Sequence, residues 1–170
     1  MASWDRVRVQ VPNARRALIA GIIATLVMTG VMYLGALILP NMRNIPSMVG
    51  AVMAFNKHLT TSNALWTWGV VMYAIFYAYA FPLCYAYWIY SYLPGPGWFR
   101  GFLSGVFLWF LLELLFMPLL HQGVFDIAGP DTATEIISMF IVSAVYGLVL
   151  GFIAGPQEVW ETRQHQTRTA

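Results

Sequence analysis

Residues 101–120 read GFLSGVFLWFLLELLFMPLL, a stretch with a single formal charge, on Glu113. A helix of twenty residues is about 30 Å long, which matches the hydrocarbon core of a bilayer. Three other apolar runs of similar length cover residues 17–39, 64–90 and 134–154. We therefore predict an all-α fold, an integral membrane four-helix bundle with four crossings.

The composition of the chain excludes several classes of protein. Hydrophobic residues make up 59% of the 170 residues and charged residues 9%, whereas soluble domains lie near 45–50% and about 25%. The net charge of +2 gives no basic face for nucleic acid. Cys84 is the only cysteine, so neither an intrachain disulfide nor a thiolate metal cluster can form.

Three regions follow from this pattern. Residues 1–16 form a basic N-terminal segment, residues 17–155 the transmembrane domain, and residues 156–170 a polar tail. The first apolar run is longer than the 7–15 residues of a signal-peptide core, so we interpret it as an uncleaved signal anchor. Apolar residues at helical spacing follow Pro46 and predict a short interfacial amphipathic helix between the first two crossings. A loop helix packed on the bundle explains the same spacing.

The basic residues predict the orientation of the bundle. Seven of the nine lysines and arginines lie on one side of the predicted crossings, and only Arg43 and Lys57 lie on the other. Basic residues are enriched in cytoplasmic segments of membrane proteins. We therefore expect both termini in the cytoplasm and the two longer loops outside.

Glu113 is the main candidate for a functional residue, because a carboxyl group at membrane depth is costly. It lies seven residues, or about 10 Å, from the outer end of its predicted helix. We expect a neutral carboxyl group that is hydrogen bonded to Thr25, Thr29, Ser138 or a tyrosine and joins two helices. Proton or cation handling, and contact with a polar group of another subunit, are the alternatives.

Helix association in lipid depends on small residues and buried polar contacts. Small residues recur at every fourth position on two predicted helices: Gly21, Thr25 and Thr29 on the first, and Gly147, Gly151 and Gly155 on the last. We predict that these two faces pack together, either within one bundle or between protomers. Tyr73 and Tyr77 lie one turn apart and are interpreted as core residues, with contact to a quinone or pigment as the alternative.

The outer end of the third helix offers a second candidate site, at His121 and Asp126. Their spacing matches no established set of metal ligands, and we interpret His121 as an interfacial residue. A haem or quinone at His121 is the alternative. The sequence contains no recognisable catalytic arrangement, so we expect no catalytic residues, no metal and no cofactor.

Several stretches of the chain resemble a family of small bacterial four-helix membrane proteins of unknown function, DUF6789. They are GIIATLVMT (21–29), IPSMVG (45–50), LPGPGWFRG (93–101), FMPL (116–119) and VYGLVLG (145–151). The resemblance spans residues 17–155 and implies a four-helix membrane fold in a bacterial inner membrane. It implies no activity.

The chain departs from this family at two positions. The resemblance implies a histidine early in the second helix and another just before the Tyr-Gly pair of the last helix. Trp66, Trp68 and Ser143 occupy those neighbourhoods here. A site built on such histidines is therefore lost in this chain, or its role has passed to Glu113 and His121.

The missing catalytic residues, the small-residue faces and the many aromatic side chains favour a non-catalytic accessory subunit of a larger membrane complex, respiratory or photosynthetic. Its partners would be the lipid bilayer and either other membrane subunits or further copies of itself. A small transporter or proton-coupled channel using Glu113 is the first alternative. A haem- or quinone-binding redox protein using His121 is the second.

Overall fold

The computed structural model of the protein describes residues 12–38, 45–46, 49, 63–119, 124–126 and 132–155. Within these ranges the chain forms helices and no strands. The four long helices are α1 (Ala14–Ile38), α2 (residues 63–92), α3 (residues 97–119) and α4 (Thr132–Ala154). Each is long and apolar enough to cross a membrane. The predicted all-α four-helix bundle is confirmed.

Two of the four helices contain π-helical segments, in which each turn holds an additional residue. In α2 the segments are Ile75–Ala80 and Tyr85–Ile89, and they flank the α-helical turn Phe81–Cys84 that carries Pro82. In α3 the segment is Leu112–Phe116. Pro82 thus lies in a continuous helix whose hydrogen-bond register changes on both sides of it.

The helices pack side by side in the order α2, α1, α4, α3, with α1 against both α2 and α4. The core between them is rich in tyrosine, and Tyr77, Tyr85 and Tyr146 are among its largest fully buried side chains. We call the end of the bundle where α1 begins and α4 ends the terminal end. Helix α3 also begins there, at Gly97, four residues before the predicted start.

The early start of α3 extends a row of glycines that faces α4. A Cβ atom built on Gly97 would lie 2.9 Å from the Cα atom of Gly155, and one on Gly105 would lie 3.1 Å from that of Gly147. Gly101 fits between Gly147 and Gly151 in the same way. The two backbones are therefore in direct contact, and no side chain larger than hydrogen fits between them.

The predicted pairing of the glycine face of α4 with α1 is wrong. The glycines of α4 contact those of α3. Gly21 of α1 instead lies against Pro82, and a Cβ atom built on Gly21 would lie 2.8 Å from the carbonyl oxygen of Ala78. The reason lies in the shape of the two partners. The ring of Pro82 fills the space above Gly21, and α3 offers α4 a second row of glycines with identical spacing.

The predicted interfacial helix after α1 lies almost entirely outside the described residues. Two of its apolar residues are described: Ile45 is 2% exposed, and Val49 packs against the core. Both positions agree with a segment that packs on the bundle.

Candidate functional site

Glu113 lies in the π-helical segment Leu112–Phe116 of α3 and is only 1% exposed. Segments of this kind occur mostly as single turns within α-helices, frequently at functional sites. The wider turn changes the direction in which the following side chains point. Here the change of register occurs at the one acidic residue of the stretch 101–120.

A group of aromatic rings lies beside this segment. Trp109 makes an edge-to-face contact with Phe140 of α4 at 5.3 Å, and Phe125 contacts both Trp109 and Phe110. Phe125 belongs to the short turn Val124–Asp126, which packs against the π segment of α3. Its backbone has φ 54°, an unusual value for a bulky residue. The two aromatic contacts pack the ring of Phe125 against α3.

The three hydroxyl groups predicted to meet Glu113 all donate to main-chain oxygens of their own helices. Thr25 donates to Gly21 and Thr29 donates to Thr25, both at 2.7 Å, and Ser138 donates to the carbonyl of Glu135 at 2.8 Å. Each hydroxyl has one proton. Any of these groups can therefore meet a carboxyl group only as an acceptor, and the carboxyl group would then have to carry the proton.

Thr29 forms a polar contact between α1 and α2. Its Oγ1 lies 3.0 Å from the hydroxyl oxygen of Tyr73. Because the Thr29 proton is donated to the carbonyl of Thr25, Tyr73 is the donor of this second hydrogen bond. Thr29, predicted as a partner of Glu113, therefore joins α1 to α2 through Tyr73.

Tyr146 of α4 completes the backbone hydrogen bonding around Pro82. The amide of Phe81 bonds to the carbonyl of Phe76, five residues back, so the carbonyl of Tyr77 needs a donor from residue 82. Proline has no N–H group. The hydroxyl of Tyr146 donates to the Tyr77 carbonyl at 2.6 Å instead. In lipid, where water cannot serve as the donor, this bond compensates for the proline.

Two buried hydroxyl groups near this bond have no hydrogen-bond partner among the described residues: those of Tyr77 and Ser143. The ring of Tyr77 contacts that of Tyr146 edge to face at 5.3 Å. Ser143 is fully buried, in the part of α4 where the family resemblance leads us to expect a histidine. Its main-chain oxygen faces Gly105, so this part of α4 lies directly on α3.

The second candidate site cannot be assembled from the described residues. His121 lies outside them, and of Asp126 only the main chain is described. Within the described ranges, no three His, Cys, Asp or Glu side chains are grouped as metal ligands would be. The alternative of a haem or quinone at His121 therefore stays a prediction.

The outer surface of α2 carries an unusual aromatic residue. Tyr79 is 50% exposed and lies at the middle of the crossing Thr67–Tyr92, about 18 Å from either end at 1.5 Å per residue. Its hydroxyl makes no hydrogen bond within the described part of the chain. Membrane tyrosines are enriched at the two interfaces, where the hydroxyl reaches water. At the same depth on α1, the exposed residues Leu26 and Val27 are aliphatic.

Three features of the bundle were not predicted from the sequence. The glycine row of α3 had a visible signal, because Gly97, Gly101 and Gly105 repeat the spacing found in α4. The position of Tyr79 at mid-membrane could also have been read from the limits of the second apolar run. The bond from Tyr146 to Tyr77 had no signal, since it depends on a register change that the sequence does not mark.

The chain belongs to DUF6789, a family of unknown function, whose sequence profile matches residues 11–165. This match confirms the resemblance noted from the sequence. A search of the curated proteins and a search of the solved structures each found no match. The family carries no stated activity, so the functional argument rests on the geometry of the bundle.

Proposed function

We propose that this membrane protein is a non-catalytic subunit that associates with another membrane protein through the outer face of α2. The observation that carries the proposal is the half-exposed Tyr79 at mid-membrane depth. A hydroxyl group in hydrocarbon without a hydrogen bond costs free energy. A partner helix that offers an acceptor at this depth removes that cost, and lipid tails cannot.

The use of the glycine rows supports the same proposal. Glycine faces are common association surfaces for membrane helices, but here both rows are buried between α3 and α4. The remaining outer surface carries large side chains. On α2 it continues from Tyr79 to Tyr87, Trp88 and Tyr92, which are 60%, 71% and 86% exposed. Aromatic side chains give large contact areas at low entropic cost, which suits an interface between subunits.

Photo-crosslinking in cells tests this proposal directly. A benzophenone amino acid at position 79 is expected to give a discrete protein adduct of higher mass. The matched control is position 26, because Leu26 is 68% exposed at the middle of α1; it should give lipid adducts. Native mass spectrometry after mild detergent extraction then identifies the partner. Lipid adducts alone at position 79, together with a free monomer in the detergent extract, would contradict the proposal.

The burial of Glu113 in a π-helical segment supports a second candidate function, proton or cation transfer through the bundle. A carboxyl group in a crossing commonly marks an ion or proton pathway. Reconstituted vesicles loaded with a pH-sensitive dye test this role. The candidate predicts a flux that Glu113→Gln abolishes and that Glu135→Gln, at the start of α4, preserves. Vesicles without flux, or with equal flux in the Glu113 variant, would eliminate it.

A further inference from the structure

A shallow groove runs along the outer surface of the bundle at its terminal end. It has a volume of about 390 Å³ and is lined by Trp98 of α3 and by four apolar residues of α4: Leu148, Val149, Phe152 and Ile153. Phe152 is 78% exposed and Trp98 51% exposed, so the groove opens toward the lipid. Its lining has no polar surface, and its natural content is therefore hydrocarbon.

One arginine adjoins this groove. The Nε atom of Arg16 donates to the carbonyl oxygen of Ile153 at 2.9 Å, and Ile153 is part of the groove lining. This bond satisfies one of the carbonyl groups that the end of α4 leaves without a partner. The two Nη groups of Arg16 have no partner among the described residues. A guanidinium group held by Nε presents these donors in the geometry that suits a phosphate.

The charge around the groove is positive. Arg15, Arg16 and Arg100 lie at the terminal end, and no described acidic side chain lies there, since Glu113 and Glu135 are near the opposite end. The flanking segments 1–11 and 156–170 contain four arginines and three acidic residues, a net charge of +1. An anion is attracted to this end.

Of the three arginines, only Arg16 is placed to hold such an anion beside the groove. Arg100 is turned toward α2, where its Nη1 donates to the carbonyl of Tyr90 at 3.4 Å and its guanidinium lies 4.4 Å from the centre of the Tyr90 ring. Arg15 is exposed, and its side chain makes no hydrogen bond or ion pair with the described residues. These differences provide natural controls.

We propose that this groove binds an acidic phospholipid, with one acyl chain along Phe152 and Trp98 and the phosphate group at Arg16. The apolar lining suits the acyl chain of the lipid, and the adjoining guanidinium group of Arg16 suits its negative charge. Trp98 lies at the start of α3, where an indole ring is well suited to the level of the lipid head groups. The site is independent of the partner face on α2.

Native mass spectrometry of the delipidated full-length protein tests the proposal. Phosphatidylglycerol and phosphatidylcholine of the same chain length are titrated separately. We expect phosphatidylglycerol to bind about fivefold more tightly, the effect of one arginine near an anionic lipid surface. Arg16→Gln should remove this preference, and Arg15→Gln should retain it. Phe152→Ala, which removes a wall of the groove without opening the core, should weaken binding of both lipids.

Two further measurements separate the lipid from other anions and protect the test from a folding defect. Glycerol phosphate at millimolar concentration should not displace the bound phospholipid, because it lacks the acyl chain; displacement would indicate a simple phosphate site. If Arg16→Gln does not fold, the wild-type preference and the Phe152→Ala variant decide the matter. The proposal would be overturned if the wild-type protein bound the two lipids equally. It would also be overturned if Arg15→Gln and Arg16→Gln reduced the preference for phosphatidylglycerol to the same extent.

Discussion

The α3–α4 contact and the α1–α2 contact hold helices together by different means. Between α3 and α4, two rows of glycines bring the backbones into direct contact. Between α1 and α2, side chains make much of the contact, through the bond from Tyr73 to Thr29 and the proline ring against Gly21, and the main chain comes close at one point, where Gly21 faces the carbonyl oxygen of Ala78. Apolar burial does not drive helices together in lipid. The bundle therefore uses close approach on one side and polar bonds on the other.

This difference predicts which contact tolerates substitution. A glycine contact has no spare volume, so every added atom must displace a backbone. A polar contact can lose one hydrogen bond and keep its packing. We therefore expect large effects at the α3–α4 contact and smaller ones where hydroxyl groups join helices.

The largest effect is expected for Gly101→Ile in α3. Any Cβ atom at this position meets the backbone of Gly147 and Gly151, so the two helices must separate. We expect a loss of about 3 kcal/mol in the free energy of unfolding, the upper end for overpacked cores. Circular dichroism during titration from mild detergent into dodecyl sulfate measures it. Gly30→Ile is the matched control, because nothing lies within 4 Å of a Cβ atom there. Equal stability of the two variants would refute the close contact.

An intermediate effect is expected for Tyr146→Phe. The substitution leaves the Tyr77 carbonyl without its donor in a region that water does not reach, at a cost of about 1–2 kcal/mol. The same unfolding titration measures it, and Tyr87→Phe on the lipid-facing surface should be neutral.

A double-mutant cycle with Pro82→Ala makes this prediction specific. Alanine at position 82 restores an N–H group that bonds to a carbonyl of the preceding turn. Tyr146→Phe should therefore cost less in the Pro82→Ala background than in the wild-type protein. An identical cost in both backgrounds would show that the hydroxyl of Tyr146 does not compensate for the proline.

The smallest effect is expected for Thr29→Val. This change keeps the shape of the side chain but removes the acceptor for Tyr73, and hydrogen bonds between membrane helices contribute on average about 0.6 kcal/mol. Thr25→Val is the control, since the Thr25 hydroxyl bonds only within its own helix in the described structure. A cost for Thr25→Val as large as that for Thr29→Val would mean that the interhelical bond adds nothing.

The sequence was sufficient to predict the four crossings, but it was not sufficient to predict which helix faces pack against each other. Long apolar runs report directly on transfer into lipid, which each helix undergoes largely on its own. Which faces meet depends on shape, and the glycines of α4 had two chemically reasonable partners. The structure selects α3 because its glycines match those of α4 along three turns, while Pro82 occupies the space beside Gly21.

The sequence was sufficient to identify Glu113 as the candidate residue. It was not sufficient to predict which groups surround Glu113. A lone carboxyl group within an apolar run is visible from composition, and its burial follows from its cost in lipid. The π segment around it is a change of hydrogen-bond register that no residue type specifies. The partners expected for Glu113 were chosen by residue type, and the structure shows that Thr25, Thr29 and Ser138 donate elsewhere.

The glycine contact also bears on the order in which the protein assembles. Helices α3 and α4 are consecutive crossings, so they meet as soon as the ribosome has released the second of them. The bond from Arg16 to Ile153 instead joins residues 137 positions apart, and it can form only after α4 has been synthesised. A chain truncated before α4 would leave α1 and α3 without their shared neighbour.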